Sequence, residues 1–216
     1  MTARSLTRAA FLAALTGAAM VVSAPAAFAA RNSEAEQYVQ TNAQAALHSL
    51  SPEAQREDFY TLMGRFSDMP RIANFVLGRY SSQLRASPQL RQQWTTAFSD
   101  YAIAVYQARL NRYSGADVHV VNSIERVPGS DVIVVSEITP RGGTRPLPVQ
   151  WRILKTGNIW KVVDVSLILE GNEIWLAQQQ QRDFLARLDA NHGNIQELIT
   201  SVNGMTASLR QRSGRG

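Results

Sequence analysis

Along this chain the spacing of apolar residues changes twice. From about Ser33 to Ser49 they fall on one side of a helix, at Ala35, Val39, Ala43, Ala46 and Leu50. Ser51-Pro52 is a cap residue followed by a proline suited to a first turn, and it starts a second helix carrying Phe59, Leu62, Met63 and Phe66. Asp68-Met69-Pro70 restarts the chain into a third, with Ile72, Phe75, Val76 and Tyr80 in phase. Ser87-Pro88 repeats the start signal before the longest helix, whose stripe is Leu90, Trp94, Ala97, Phe98, Tyr101, Val105 and Ala108. So aromatic a stripe suits ordinary core, and it also suits a core face that doubles as a pocket wall.

From about Asp117 the period falls to two. Val118, Val120, Asn122 and Ile124 alternate with mostly polar residues, and Pro128-Gly129-Ser130-Asp131 makes a turn into Val132-Ile133-Val134-Val135. Arg141-Gly142-Gly143-Thr144 is a hairpin loop. Leu147, Val149, Trp151 and Ile153 alternate next, and Thr156-Gly157-Asn158 turns into the run Ile159 to Val165. After Glu170-Gly171-Asn172 the helical period returns at Ile174, Ala177, Gln181, Phe184 and Leu188. Asn191-His192-Gly193 closes that helix, and Asn194 with Glu197 forms a capping box for a last one bearing Ile195, Leu198, Ile199, Val202 and Leu209. Helices, a meander of about four antiparallel strands, then helices describe an α+β domain, whose terminal helices must cover the apolar sheet face.

The segment before Ser33 follows a different logic. Arg4 and Arg8 precede an apolar stretch that ends Ala27-Phe28-Ala29, the order of a secretory signal peptide. We expect residues 1–29 to be a signal peptide, 30–209 one domain and 210–216 a basic disordered tail. Loss of Arg4 and Arg8 lowers the formal charge from +5 to +3, too mild for a nucleic-acid binder. The chain has no cysteine, so disulfides, thiolate metal sites and thiol nucleophiles are excluded.

Candidate chemistry is sparse. The three histidines, His48, His119 and His192, lie at no metal-ligand spacing, and His119 falls on the solvated side of its strand. No nucleophile elbow, phosphate-binding loop or dinucleotide fingerprint occurs. Asp164, between Val163 and Val165 on a strand, is the acid most suited to a raised pKa and a general-base role. An ion pair or hydrogen bond with an Arg or Lys of a neighbouring strand is the simpler account of it. No cofactor is expected.

Three ordered segments carry a resemblance. Phe66 to Tyr80 reads like F-D-x-x-x-I-a-x-f-v-L-G-r-y. Ser87-Pro88-Gln89-Leu90-Arg91 is followed by Phe98, Tyr101, Val105, Tyr106, Leu110 and Tyr113 at matching intervals. Val149 to Arg152, Trp160 to Val165 and Gln181 to Phe184 read like v-x-W-r, W-k-v-x-D-v and q-R-x-x-F. This set resembles the MlaC family, the toluene-tolerance auxiliary transport proteins, over about residues 33–205. Two places depart from it: Ser166 to Glu173 replaces the usual E-G-V-S, and Ser81-Ser82 stands where the family has Trp.

The resemblance implies a curved antiparallel sheet closed by helices around an apolar cavity. It implies a periplasmic carrier, without catalysis, that holds the acyl chains of a phospholipid or related lipid. Its partners would be an inner-membrane MCE-domain ABC transporter complex and an outer-membrane lipoprotein complex, acting in outer-membrane lipid asymmetry. The residues expected to line the pocket are Phe66, Ile72, Phe75, Val76, Trp94, Phe98, Tyr101, Val105, Val134, Val149, Trp151, Val163 and Val165. Two other readings stay open. One is a cone-shaped α+β enzyme of isomerase or dehydratase type using Asp164. The other is a protein-only periplasmic adaptor, which requires no cavity.

Overall fold

Asn32 opens α1 (Ser33–His48) by accepting the Ala35 N–H at 3.0 Å, and the helix buries Ala35, Val39, Ala43, Ala46 and Leu47. The computed structural model describes residues 31–50, 56–143, 145–169 and 171–213. The expected signal peptide and the Ser51-Pro52 helix start lie outside the described residues, as do Thr144 and Glu170 of two turns. Next come α2 (Arg56–Phe66) and α3 (Met69–Val76), the latter capped by Asp68, which accepts the Arg71 N–H at 3.1 Å. A 3-10 turn over Gly78–Ser81 and a short α4 (Ser82–Ala86) lead to Ser87, which caps α5 (Pro88–Leu110) through the Leu90 N–H at 3.2 Å.

The chain then forms one antiparallel meander in sequence order: β1 (Asp117–Val127), β2 (Asp131–Thr139), β3 (Leu147–Thr156), β4 (Ile159–Leu169) and β5 (Asn172–Trp175). β5 adds a fifth strand to the four expected. Its four residues are too few to display a period of two, and Ile174 happens to keep phase with the helix that follows. That helix, α6 (Leu176–Ala190), begins only after Trp175. It closes through His192 and Gly193, both left-handed at φ 58° and 78°, with the Gly193 N–H on the Leu188 carbonyl at 2.7 Å. Asn194 caps α7 (Ile195–Ser213) by accepting the Glu197 N–H at 3.1 Å. The helix runs on through Arg210 to Ser213, where a disordered tail was expected, and residues 214–216 lie outside the described ones.

Alternate residues of the central strands face the helices. Val132, Val134, Ser136 and Ile138 of β2 and Leu147, Val149, Trp151 and Ile153 of β3 are all buried. Bulges at Val121 and Arg126 in β1 and at Val163 in β4 interrupt the ladder and bend the sheet. His119 is exposed on the outer side.

Two devices protect the sheet edges. On β1, Gln40 donates to the Val118 carbonyl at 2.7 Å and accepts the Val120 N–H at 3.0 Å. One turn on, Gln44 donates to the Ala116 carbonyl at 2.9 Å and accepts the Val118 N–H at 2.8 Å. Two amides four residues apart on α1 therefore stand in for a sixth strand. On β4, the junction of α2 and α3 covers the edge beyond β5, with the Asp68 N–H on the Val162 carbonyl at 2.8 Å.

Replacing both Gln40 and Gln44 by Ala would leave four edge groups of β1 without these partners. We expect a loss of about 2 kcal/mol or more, at roughly 0.5–1.5 kcal/mol for each net hydrogen bond. Urea unfolding checks it, and a change below a few tenths of a kcal/mol would show that water replaces the amides without cost.

Candidate functional site

The space between sheet and helices is filled at one end of α5 and holds a cavity at the other. Near the start of α5, Trp94 and Phe98 are fully buried, and the Trp94 indole N–H donates to the Ala73 carbonyl at 2.7 Å. Phe184 of α6 meets Trp94 edge-on at 5.6 Å between ring centroids, Phe98 at 6.2 Å and Tyr101 at 5.9 Å. These rings form solid packing.

Toward the end of α5 the packing loosens into a narrow apolar cavity of about 40 Å³. Its sheet wall is Ile138, Val149, Trp151, Val165 and Leu167. Its helical walls are Ala43, Ala46 and Leu47 of α1, Met63 and Phe66 of α2, Tyr106, Arg109 and Leu110 of α5, and Leu176 of α6. Phe66 lies 5.5 Å from the Trp151 ring, and the Trp151 indole N–H is used up on the Ser136 hydroxyl at 2.8 Å. Burial holds the Tyr106 phenol neutral by raising its pKa. Among the described residues Arg109 is the one charged residue of the lining. Its head is exposed, while the cavity lining is apolar.

The thirteen residues expected from sequence divide among four places. Phe66, Val149, Trp151 and Val165 line the cavity. Trp94, Phe98, Val76 and Val134 are buried without lining it; Val134 pairs with Trp151 in the sheet. Tyr101 and Val105 line an open groove of about 730 Å³ between α5 and α7. Ile72, Phe75 and Val163 line a separate cleft of about 210 Å³, and Phe75 is 42% exposed. Sequence reasoning missed the alanines of α1, which carry no bulk to draw attention. It also passed over Tyr106 and Leu110, although both stand in the ordered motif of α5.

Asp164 belongs to the fourth place, the cleft, beside Arg71, Arg152 and Gln178. Its carboxylate accepts the Ala177 N–H at 2.8 Å and its neighbour Val165's N–H at 2.9 Å. No side chain of α6 caps that helix, so Asp164 caps it from the adjacent strand. Arg152, its cross-strand partner, is instead hydrogen-bonded to Asp131 at 2.9 and 3.2 Å. Burial pushes the Asp164 pKa up to about 6, against the pull of the Ala177 and Val165 N–H groups and the Arg152 charge. The arrangement is that of a helix cap. Among the described residues, no group of three or more His, Asp or Glu could hold a metal ion, and no helix is long and apolar enough to cross a membrane.

Comparison with known proteins bears on this geometry. The family model described as MlaC protein matches residues 34–203. The chain belongs to the MlaC family. Its α+β architecture is shared with a phospholipid-binding protein from Ralstonia solanacearum, solved in complex with a phospholipid. The two chains are 23% identical, with a TM-score of 0.67 over 82% of this chain and 98% of the other. No curated protein matches. The MlaC match spans every element from α1 into α7, and so takes in both the cavity walls and the Asp164 cap.

The cap sets a pH dependence. The Asp164 pKa of about 6 lies above the value of 3.8 for a free aspartate, so the folded protein keeps a proton that the unfolded chain releases between about pH 4 and 6. The stability tied to that proton is complete below about pH 4 and is lost as the pH rises to about 6. Asp164→Asn keeps an acceptor oxygen but cannot ionise. Between pH 4 and pH 7 its stability should rise relative to wild type by about 1–3 kcal/mol in urea unfolding, at roughly 1.4 kcal/mol per pKa unit. Parallel pH profiles for the two proteins would show that Asp164 feels no such desolvation.

Proposed function

We propose that this protein is a periplasmic lipid carrier. It holds the acyl chains of a phospholipid-like molecule in the apolar cavity at the end of α5 and shuttles it between inner- and outer-membrane complexes. The observation that carries the reading is the cavity itself. It is walled by both layers of the fold, lies within the MlaC match and is apolar except at the exposed Arg109 end. The bound phospholipid of the Ralstonia relative supports the same reading. An MCE-domain ABC transporter and an outer-membrane lipoprotein complex are the partners that family membership suggests.

The physics of such a carrier is demanding. Each methylene taken from a bilayer needs about 0.8 kcal/mol of apolar burial in exchange, so one long chain needs on the order of 10 kcal/mol. Hydrogen bonds cannot supply this, and a dry apolar wall can. A cavity of about 40 Å³ is far smaller than the roughly 300–1,000 Å³ of pockets for sizeable ligands, so the lipid must part its walls to enter. The flexible Met63 and the small Ala43 and Ala46 are where such parting costs least.

The small cavity also favours the second reading, a periplasmic adaptor that binds only proteins. Lipid content separates the two. Protein purified from the periplasm without detergent should carry phospholipid, seen by native and extraction mass spectrometry at a sizeable fraction of one per chain. Ala46→Phe, which fills the cavity, should lower that occupancy at least several-fold while the fold persists, at about 1–3 kcal/mol of overpacking. Lipid-free protein from repeated gentle preparations would overturn the carrier reading.

A further inference from the structure

The antiparallel meander gives the sheet two ends, and charge is arranged differently at each. At the end bearing the hairpin turns of Gly129 and Gly157, charges of both signs are matched. Arg152 binds Asp131 at 2.9 Å, Lys155 binds Glu34 at 2.6 Å and Arg31 binds Glu36 at 2.8 Å. The opposite end is where α5 stops and the loop between β2 and β3 emerges. It carries Arg109 in the last turn of α5, Arg112 in the 3-10 turn beyond it, and Arg141 and Arg145 in the loop, all four exposed. Gly115 joins these elements. Its carbonyl accepts the Arg141 Nε–H at 2.9 Å, and its N–H donates to the Leu47 carbonyl of α1 at 3.0 Å. Arg112 lays its guanidinium over the Tyr113 ring at 5.1 Å, and Arg145 stands two residues before Leu147, which pairs with Ile138. The salt bridges among the described residues involve none of the four, and the acid beside them is Asp117, which begins β1. The C-terminal dipoles of α1 and α5 take up about half a charge each, which four guanidinium groups exceed.

We infer that this end of the molecule docks directly on the surface of an anionic bilayer, with no protein partner required. The four arginines belong to a helix end, a 3-10 turn and a hairpin loop, so their charge is spread over a face. A protein partner is recognised by a pattern of both signs that fixes its register. Apart from Asp117 this face offers one sign, which a surface of many like phosphates satisfies at any register. Each basic residue near such a surface strengthens binding by about fivefold. The half-buried Tyr113 sits among the arginines, an aromatic suited to the level of lipid head groups, and the exposed Gly142 and Gly143 add no side chain to hold the loop off a flat surface. The cavity walls Leu47, Leu110 and Ile138 lie at this same end, so docking turns the cavity end of the fold toward the lipid. The inference stands apart from the carrier reading, because attachment to a surface is measured whether or not lipid is taken up.

Sedimentation with sucrose-loaded vesicles tests it. The purified protein should pellet with vesicles of equal parts phosphatidylglycerol and phosphatidylcholine at low salt, and stay in solution with phosphatidylcholine alone. Raising the ionic strength from about 0.01 to 0.15 M shortens the screening length from roughly 30 to 8 Å and should release it. Arg112→Gln with Arg145→Gln, neither of which lines the cavity, should weaken the partition about 30-fold. Lysine at both positions should keep most of the binding, because a surface potential needs charge and not the fork of a guanidinium. Arg31→Gln, at the matched end, should change nothing. Circular dichroism confirms the fold of each variant. Failure of the wild type to pellet with the anionic vesicles at low salt overturns the inference, even if the same face binds an acidic polypeptide such as polyglutamate. An unchanged partition in the double glutamine variant overturns it as well, and so does an equal loss from Arg31→Gln.

Discussion

The fold depends on how α5 is held along its length. Its first half is pinned: Trp94 is fully buried, bonded to the Ala73 carbonyl, and locked with Phe98 against Phe184 of α6. Its second half spans the sheet without filling the space beneath, and Tyr106, Arg109 and Leu110 become cavity wall. One helix is thus an anchor at its start and a lid at its end. Interiors as dense as the first half tolerate little change of volume. The less densely packed end is the one where Ala43, Ala46 and Met63 line a cavity with Trp151.

Polar groups fix the frame around this loose end. Gln40 and Gln44 tie α1 to the edge of β1, so the helix bearing Ala43 and Ala46 is held by hydrogen bonds on one side while its apolar side faces the cavity. Asp164 does the same for α6, whose first residue, Leu176, is also cavity wall. A buried carboxylate with a raised pKa is often read as a catalytic base. Here its Oδ1 accepts two backbone N–H groups, and the energetic cost of its burial is offset by a helix start that no local residue caps.

The sequence was most informative where local chemistry decides the outcome. Asp68, Ser87 and Asn194 accept N–H groups at helix starts, as residues of their type and position should. The turns at Gly129 and Gly157 adopt the left-handed backbone their glycines permit. It was least informative about cavity against core. Trp94 and Trp151 are both large, apolar and in phase with their elements, yet the first sits in solid packing and the second on a cavity. What separates them is the neighbour across the layer: Trp151 lines a cavity with Ala43 and Ala46, which add no bulk to any periodic pattern. Phe75 kept the helical phase of α3 but is 42% exposed, because α3 ends at Val76 before a further turn could bring cover over it. β5 was too short to be distinguished from the helix it precedes.

A carrier must bind its cargo and also give it up, and the narrowness of the cavity bears on the second task. A lipid with on the order of 10 kcal/mol of apolar burial per chain would be trapped if a wide, dry pocket stood ready for it. When the competent form is only a fraction of the population, apparent affinity falls by that fraction. Closing the walls on Trp151 recovers apolar contact that an emptied pocket would otherwise forfeit, so part of the cost of losing the lipid is returned as the cavity collapses. A partner that stabilises the parted form would favour loading, and one that lets the walls close would favour release. In the proposed carrier, the pinned half of α5 keeps this exchange local, since the aromatic cluster around Phe184 need not be disturbed as the far end opens.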